Sequence, residues 1–130
     1  MQSEEASVVL VDDDKSVRVA LARLFRSAGV PFVAFDSAEA FLESDSLGST
    51  GCLIADVRMR RMQGLELQHI CRQKKPTLPV IIISAFNDDD AESRAIENGA
   101  RAFLHKPFDP TALLTLVKKL LGKENGTGKP

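Results

Sequence analysis

The apolar positions of this chain come in short unbroken runs that alternate with longer stretches of helical spacing. Residues 8–11, VVLV, form the first run. A continuous apolar run of this length fits a strand covered on both faces. Behind it, Val17, Ala20, Leu21, Leu24 and Phe25 recur at spacings of three and four, which predicts a helix. Gly29 stands in the helix-ending position. VPFVAF (30–35) predicts a second strand, and Ser37 caps a brief helix in SAEAFLES. CLIAD (52–56) predicts a third strand, followed by a helix over about 64–74. PVIIIS (79–84) is the fourth strand, and a polar helix over about 88–98 closes on Gly99. RAFLH (101–105) is the fifth. Asp109 and Pro110 then open a last helix, whose apolar face is Leu113, Leu114, Val117, Leu120 and Leu121.

Five βα units in succession predict an α/β fold: a doubly wound, five-stranded parallel sheet with helices on both faces. The expected folded unit is residues 7–121. Residues 122–130 are rich in Gly and charge and lack apolar anchors, so they read as a flexible tail or the start of a linker.

Composition adds exclusions. The chain has 130 residues, enough for one core, with 44% hydrophobic and 27% charged residues. A formal net charge of -1 gives no global field favouring nucleic acid or an anionic membrane. No apolar run is long enough to span a bilayer, and MQSEEASVVL has no signal-peptide pattern. Cys52 and Cys71 are expected to be buried thiols rather than a disulfide. The expected location is therefore the cytoplasm, without direct contact to nucleic acid or membrane.

In open parallel sheets the site lies outside the carboxyl ends of the strands, where strand order reverses. There the chain places Asp12 and Asp13 after strand one, Asp56 at the end of strand three, Ser84 at the end of strand four and Lys106 after strand five. Desolvating neighbouring carboxylates is costly unless a cation compensates them, and oxygen ligands suit Mg²⁺. Asp56 stands alone at its strand end, which makes it the nucleophile candidate, with Asp12 and Asp13 left to hold the metal. Ser84 is placed to donate a hydrogen bond to a phosphoryl oxygen. Asp14 reads as a helix cap, and the acidic run NDDDAES (87–93) as a helix start. His69 and His105 lie on different elements without spaced partners and are given structural roles.

These residues resemble a known family. The DD pair, the Asp with Met three and Gly eight residues further on, IIISA and KPF together are similar to the receiver domain of two-component response regulators. DVRM, SAEAFL and FLHKPF resemble its FixJ-type members. The resemblance implies a flavodoxin-like sheet with strand order 2-1-3-4-5. It implies phosphoryl transfer to Asp56 from a sensor histidine kinase. It also implies Mg²⁺ held by Asp13, Asp56 and the backbone carbonyl of Arg58, with Asp12 acting through water. A switch pair at Ser84 and Phe103, a phosphate-binding Lys106 and a cis peptide before Pro107 complete the expected site. Such a domain is not a conventional enzyme, since it catalyses only its own phosphorylation and dephosphorylation. Homodimerisation on phosphorylation is a candidate response.

Two features depart from or compete with this reading. Where the family usually has Pro and then often Gly after DVRM, this chain has Arg60 and Arg61, which predicts a looser loop. Arg58 and Phe86 border the expected approach of a hydrolytic water, and neither positions it, which predicts slow dephosphorylation. The alternative is a haloacid-dehalogenase-like phosphatase, since VVLVDDDKSV also reads as hhhhDxDxSV. In that case Asp12 is the nucleophile and Asp14 the general acid. This alternative leaves Asp56 without a role and lacks a further acidic pair on a later strand end.

Overall fold

A computed structural model describes residues 7–85 and 89–122 of the chain. Five strands and five α-helices alternate along it: β1 (Ser7–Val11), α1 (Lys15–Ser27), β2 (Phe32–Phe35), α2 (Ala38–Glu43), β3 (Thr50–Asp56), α3 (Gly64–Lys74), β4 (Val80–Ser84), α4 (Asp89–Glu97), β5 (Ala102–His105) and α5 (Pro110–Leu120). All strand pairs are parallel, in the order β2-β1-β3-β4-β5.

The unbroken apolar runs are explained by what covers each face. Successive strand residues point to opposite sides, so each strand feeds two cores. Val9, Val11, Leu53, Ala55, Val80 and Ile82 pack with Ala38, Phe41, Leu67, Cys71, Ala91 and Ala95 of α2, α3 and α4. The intervening residues Val8, Leu10, Cys52, Ile54, Ile81 and Ile83 pack with Leu21 and Phe25 of α1 and Leu113 and Val117 of α5. Cys52 and Cys71 are free and buried, and burial pushes their thiols up to about 12 and about 11 respectively, so both stay protonated at neutral pH. Among the described residues no helix is long and apolar enough to cross a membrane.

Helix ends follow local chemistry. Asp14, Ser37 and Asp109 are N-caps whose side chains accept from backbone amides of the first turn. Gly29 follows α1 at φ 72, a left-handed conformation that glycine adopts without a Cβ penalty. Asp89, Asp90 and Glu92 sit in the first turn of α4, where negative charge complements the helix dipole, whereas Asn87 and Asp88 lie outside the described residues.

Strand starts differ from the sequence expectation by one or two residues, most at the second and third strands. The second strand begins at Phe32 rather than Val30, although the Pro31 carbonyl still accepts from Val8 N at 2.9 Å. Proline has no amide to donate, so the ladder starts one residue later. The third strand begins at Thr50, following a short 3-10 turn over Leu47–Ser49. Lys75 Nζ pins that turn by donating to the carbonyls of Leu47, Gly48 and Thr50 at 3.2, 2.9 and 2.8 Å.

Candidate phosphoacceptor site

The chain leaves β1 to one side for β2 and returns to the other for β3, so a crevice opens at the carboxyl ends of β1 and β3. Asp12, Asp13 and Asp56 meet there, with one carboxylate oxygen from each lying within 4.8 Å of the others. Asp12 is fully buried, Asp56 is 5% exposed, and Asp13 is half-buried at the rim. Ser84, fully buried, stands at the end of the neighbouring β4.

Lys106 closes the cluster. Its Nζ lies 2.9 Å from Asp12 Oδ2 and 3.3 Å from Asp56 Oδ2. Its backbone amide donates to the Ser84 carbonyl at 2.8 Å, which ties the turn after β5 to the end of β4. The Lys106–Pro107 peptide is cis. Burial opposes the charge on Lys106, but the hydrogen bond and charge of Asp12, together with Asp56, outweigh it, so the ammonium is held above its ordinary pKa.

Asp12 is held from several sides. Its Oδ1 accepts from Asp14 N at 2.9 Å, and its backbone carbonyl accepts from Arg18 Nη1 at 2.9 Å. Asp14 is exposed, lies outside the cluster and caps α1. Its carboxylate accepts from Ser16 Oγ at 2.7 Å and Ser16 N at 2.9 Å, and these bonds lower its pKa. The role of Arg18 was not visible in the sequence, where it reads as one more charge on an exposed helix face.

Gly64 explains itself only in three dimensions. A Cβ at this position would collide with the backbone carbonyl of Asp56, its oxygen and carbon both. The first turn of α3 therefore packs directly on the end of β3, and Gly64 N donates to Val57 O at 3.0 Å. The strand end that presents Asp56 is also fixed from the other side, by Val57 N donating to Ile83 O at 2.8 Å.

The donor set fits a hard divalent cation. It offers carboxylate oxygens from two strand ends, and Asp56 Oδ1 is buried with no hydrogen-bond partner among the described residues. Burial raises the Asp56 carboxyl to about 6, and the Asp12 charge adds to this. Lys106 pulls the other way, and the Arg58 backbone contributes a smaller lowering. Phe103, half-buried on β5, packs against the core and makes an edge-on ring contact with His105 at 5.3 Å. His105 Nε2 in turn lies 3.6 Å from Glu92 of α4. Phe86, expected to border the water approach, lies outside the described residues.

Residues 8–118 match the response regulator receiver domain family. The chain belongs to that family. The receiver is 37% identical over 116 residues to the transcriptional regulatory protein TdiR of Thauera aromatica, covering 89% of this chain and 51% of that protein. It is 35% identical over 126 residues to the transcriptional regulatory protein FixJ of Azorhizobium caulinodans, covering 97% of this chain and 60% of FixJ. The solved structure of the response regulator StyR superposes with a TM-score of 0.83 at 40% identity, covering 92% of this chain and 61% of that one. The chain thus spans about half the length of TdiR. The phosphatase alternative falls with these likenesses, and the geometry agrees: Asp14 is a helix cap, and the receiver brings Asp56, not Asp14, to the cluster.

The raised pKa of Asp56 has a consequence for the metal-free receiver. A carboxyl with a folded pKa near 6 and an unfolded one near 3.9 contributes no penalty below the unfolded value. As pH rises from about 4 through about 6, the folded state loses this proton less readily than the unfolded state, and stability falls. Asp56→Asn should therefore raise the stability of the metal-free receiver at pH 7.5 by about 1–2 kcal/mol, with the gain shrinking towards pH 4. Urea unfolding at several pH values in EDTA checks this. A pH-independent difference would show that Asp56 is not the titrating group.

Proposed function

We propose that this receiver takes a phosphoryl group onto Asp56 from a phosphohistidine on a sensor histidine kinase, in a Mg²⁺-dependent reaction, and that the change controls an output. The observation that supports this most is the pairing of a buried carboxylate bearing an unpartnered oxygen with two further carboxylates and one ammonium. In the transfer, a carboxylate oxygen of Asp56 forms a bond to phosphorus while the P–N bond to the donor imidazole breaks. The departing nitrogen keeps the electron pair and takes up a proton. A carboxyl with a pKa near 6 is ionised at neutral pH, as a nucleophile must be. Asp13, Asp56 and the Arg58 carbonyl would hold Mg²⁺, with Asp12 acting through water, and the ion supplies neutralisation of phosphoryl oxygens.

Lys106 stands ready to pair with an incoming phosphoryl oxygen as its contact with Asp56 is exchanged. Ser84 would close on the phosphoryl group from β4, and Phe103 would follow it inward, coupling the site to the α4–β5 surface. The receiver comprises residues 7–121 in this reading; of the expected tail, residues 123–130 lie outside the described residues. Its partner would be a cytoplasmic kinase domain, and phosphorylation would favour a homodimer. Catalysis is confined to the gain and loss of its own phosphoryl group.

Metal titration separates the carboxylates. Asp13→Ala should weaken Mg²⁺ binding by roughly tenfold or more, because octahedral coordination is left short of an oxygen. Asp14→Ala should bind within about twofold of the unchanged chain, since only a helix cap is lost. Equal losses in both variants would contradict the proposed ligand set.

A further inference from the structure

The loop between β3 and α3 carries the Arg58 carbonyl and follows directly on Asp56, so its position decides how well the metal set is formed. Arg60 stands here where proline would restrict φ, so something else must hold the loop. Burial supplies part of the hold: Met59 is 7% exposed, and Met62 is partly buried against the same core. A hydrogen bond from a distant side chain adds to it. Glu39 Oε2 accepts from Met62 N at 3.0 Å, across 23 residues of sequence.

Glu39 is itself rigidly based. It lies in the first turn of α2, where Ser37 Oγ accepts from Ala40 N at 3.0 Å. Its neighbours Ala38 and Phe41 are fully buried. Its second oxygen, Oε1, is buried with no hydrogen-bond partner among the described residues. A buried orphan carboxylate oxygen costs stability. The side chain lines a cleft with Asp13, Arg18 and Met59, directly beside the carboxylate cluster.

We propose that Glu39 is a positioning residue for phosphoryl transfer: it clamps the β3–α3 loop through the Met62 amide and so holds Asp56 and the Arg58 carbonyl in register for the metal. This rests on the reading of Asp56 as a Mg²⁺-assisted acceptor. The clamp replaces the conformational restriction that a proline would give. It acts through an acceptor oxygen, so a glutamine serves almost as well as the glutamate, and an alanine does not.

The test compares the unchanged chain with Glu39→Ala and Glu39→Gln in three measurements: amide exchange at Met62 by NMR, Mg²⁺ affinity, and the rate of phosphorylation by a small acyl phosphate. In Glu39→Ala, Met62 exchange should quicken. Mg²⁺ affinity should fall about 3–10-fold, and phosphorylation should slow at low Mg²⁺ but recover at saturating Mg²⁺, while the melting temperature stays near that of the unchanged chain. Glu39→Gln should remain within about twofold in all three. Unchanged Met62 exchange or unchanged Mg²⁺ affinity in Glu39→Ala overturns the clamp. Equal losses in both variants also overturn it, because the charge rather than the acceptor would then matter. If the unchanged chain itself takes up neither Mg²⁺ nor phosphoryl, the acceptor reading fails, and Met62 exchange still decides whether the loop is clamped.

Discussion

Lys106→Ala should destabilise the metal-free receiver by about 3 kcal/mol, and Mg²⁺ should restore much of the loss. The ammonium lies 2.9 Å from Asp12 and 3.3 Å from Asp56, and the side chains of all three residues are at most 15% exposed. Deleting it leaves two buried carboxylates without the ammonium that contacts both. Breaking a buried pair from one side costs far more than the pair contributes, because an uncompensated charge remains. One of the acids then takes up a proton, which limits the penalty and makes it grow with pH. A divalent cation meets the same need, so the variant should bind Mg²⁺ more tightly than the unchanged chain, on the order of tenfold, since a competing positive charge is gone. Phosphorylation should nevertheless slow, because the incoming oxygens lose their ammonium. Thermal melting with and without Mg²⁺ reads both effects. Equal melting temperatures in EDTA, or weaker Mg²⁺ binding, would contradict this electrostatic account.

Gly64→Ala should cost about 3 kcal/mol or more, at the upper end of overpacking effects. The added methyl meets the backbone of Asp56 and the Cα of Val57, which are backbone atoms and not the ends of flexible side chains. Asp56 ends β3 and pairs with Ile83, and Val57 N just beyond donates to the Ile83 carbonyl of β4, so this backbone yields only by breaking that ladder. α3 must therefore move away, taking the Gly64–Val57 hydrogen bond with it. The loop joining β3 to α3, which carries the Arg58 carbonyl proposed as a metal ligand, must shift with the helix, so Mg²⁺ affinity should fall together with stability. Urea unfolding and Mg²⁺ titration of one preparation test this, and a stability within about 0.5 kcal/mol of the unchanged chain would show that the contact is easily relieved.

The order of elements and most of the acidic site were legible in the sequence for definite reasons. A strand covered on both faces must be apolar throughout, so 8–11, 52–55 and 80–83 announce themselves, and their carboxyl ends follow directly. Caps such as Asp14 and Asp109 act on amides two residues away, a separation that sequence shows. Sheet order was legible only through family resemblance, because apolar periodicity does not say which strands are neighbours. Contacts between distant segments were not legible at all. Nothing near Glu39 reveals that its partner is the amide of Met62, and nothing near Arg18 reveals that it donates to the Asp12 carbonyl. Gln68 sits on α3 among apolar residues, yet it is 1% exposed and donates to the Ala95 carbonyl of α4 at 2.9 Å. Long polar side chains reach many places with similar energy, so only the folded backbone selects among them. Gly64 belongs to the same class: its spacing from Asp56 was a family signature, and the collision that demands glycine emerges only once α3 is laid on β3.

Whether Asp56 accepts the phosphoryl group is tested most directly by intact mass after incubation with Mg²⁺ and a small acyl phosphate, followed by borohydride reduction and peptide mapping. Reduction converts an aspartyl phosphate to homoserine and so marks the residue that carried it. The receiver should gain the mass of one phosphoryl group with Mg²⁺ and none in EDTA. Homoserine should appear at Asp56, and Asp56→Asn should gain nothing. Labelling at Asp12 or Asp13 in the unchanged chain, or full incorporation in Asp56→Asn, would contradict the assignment.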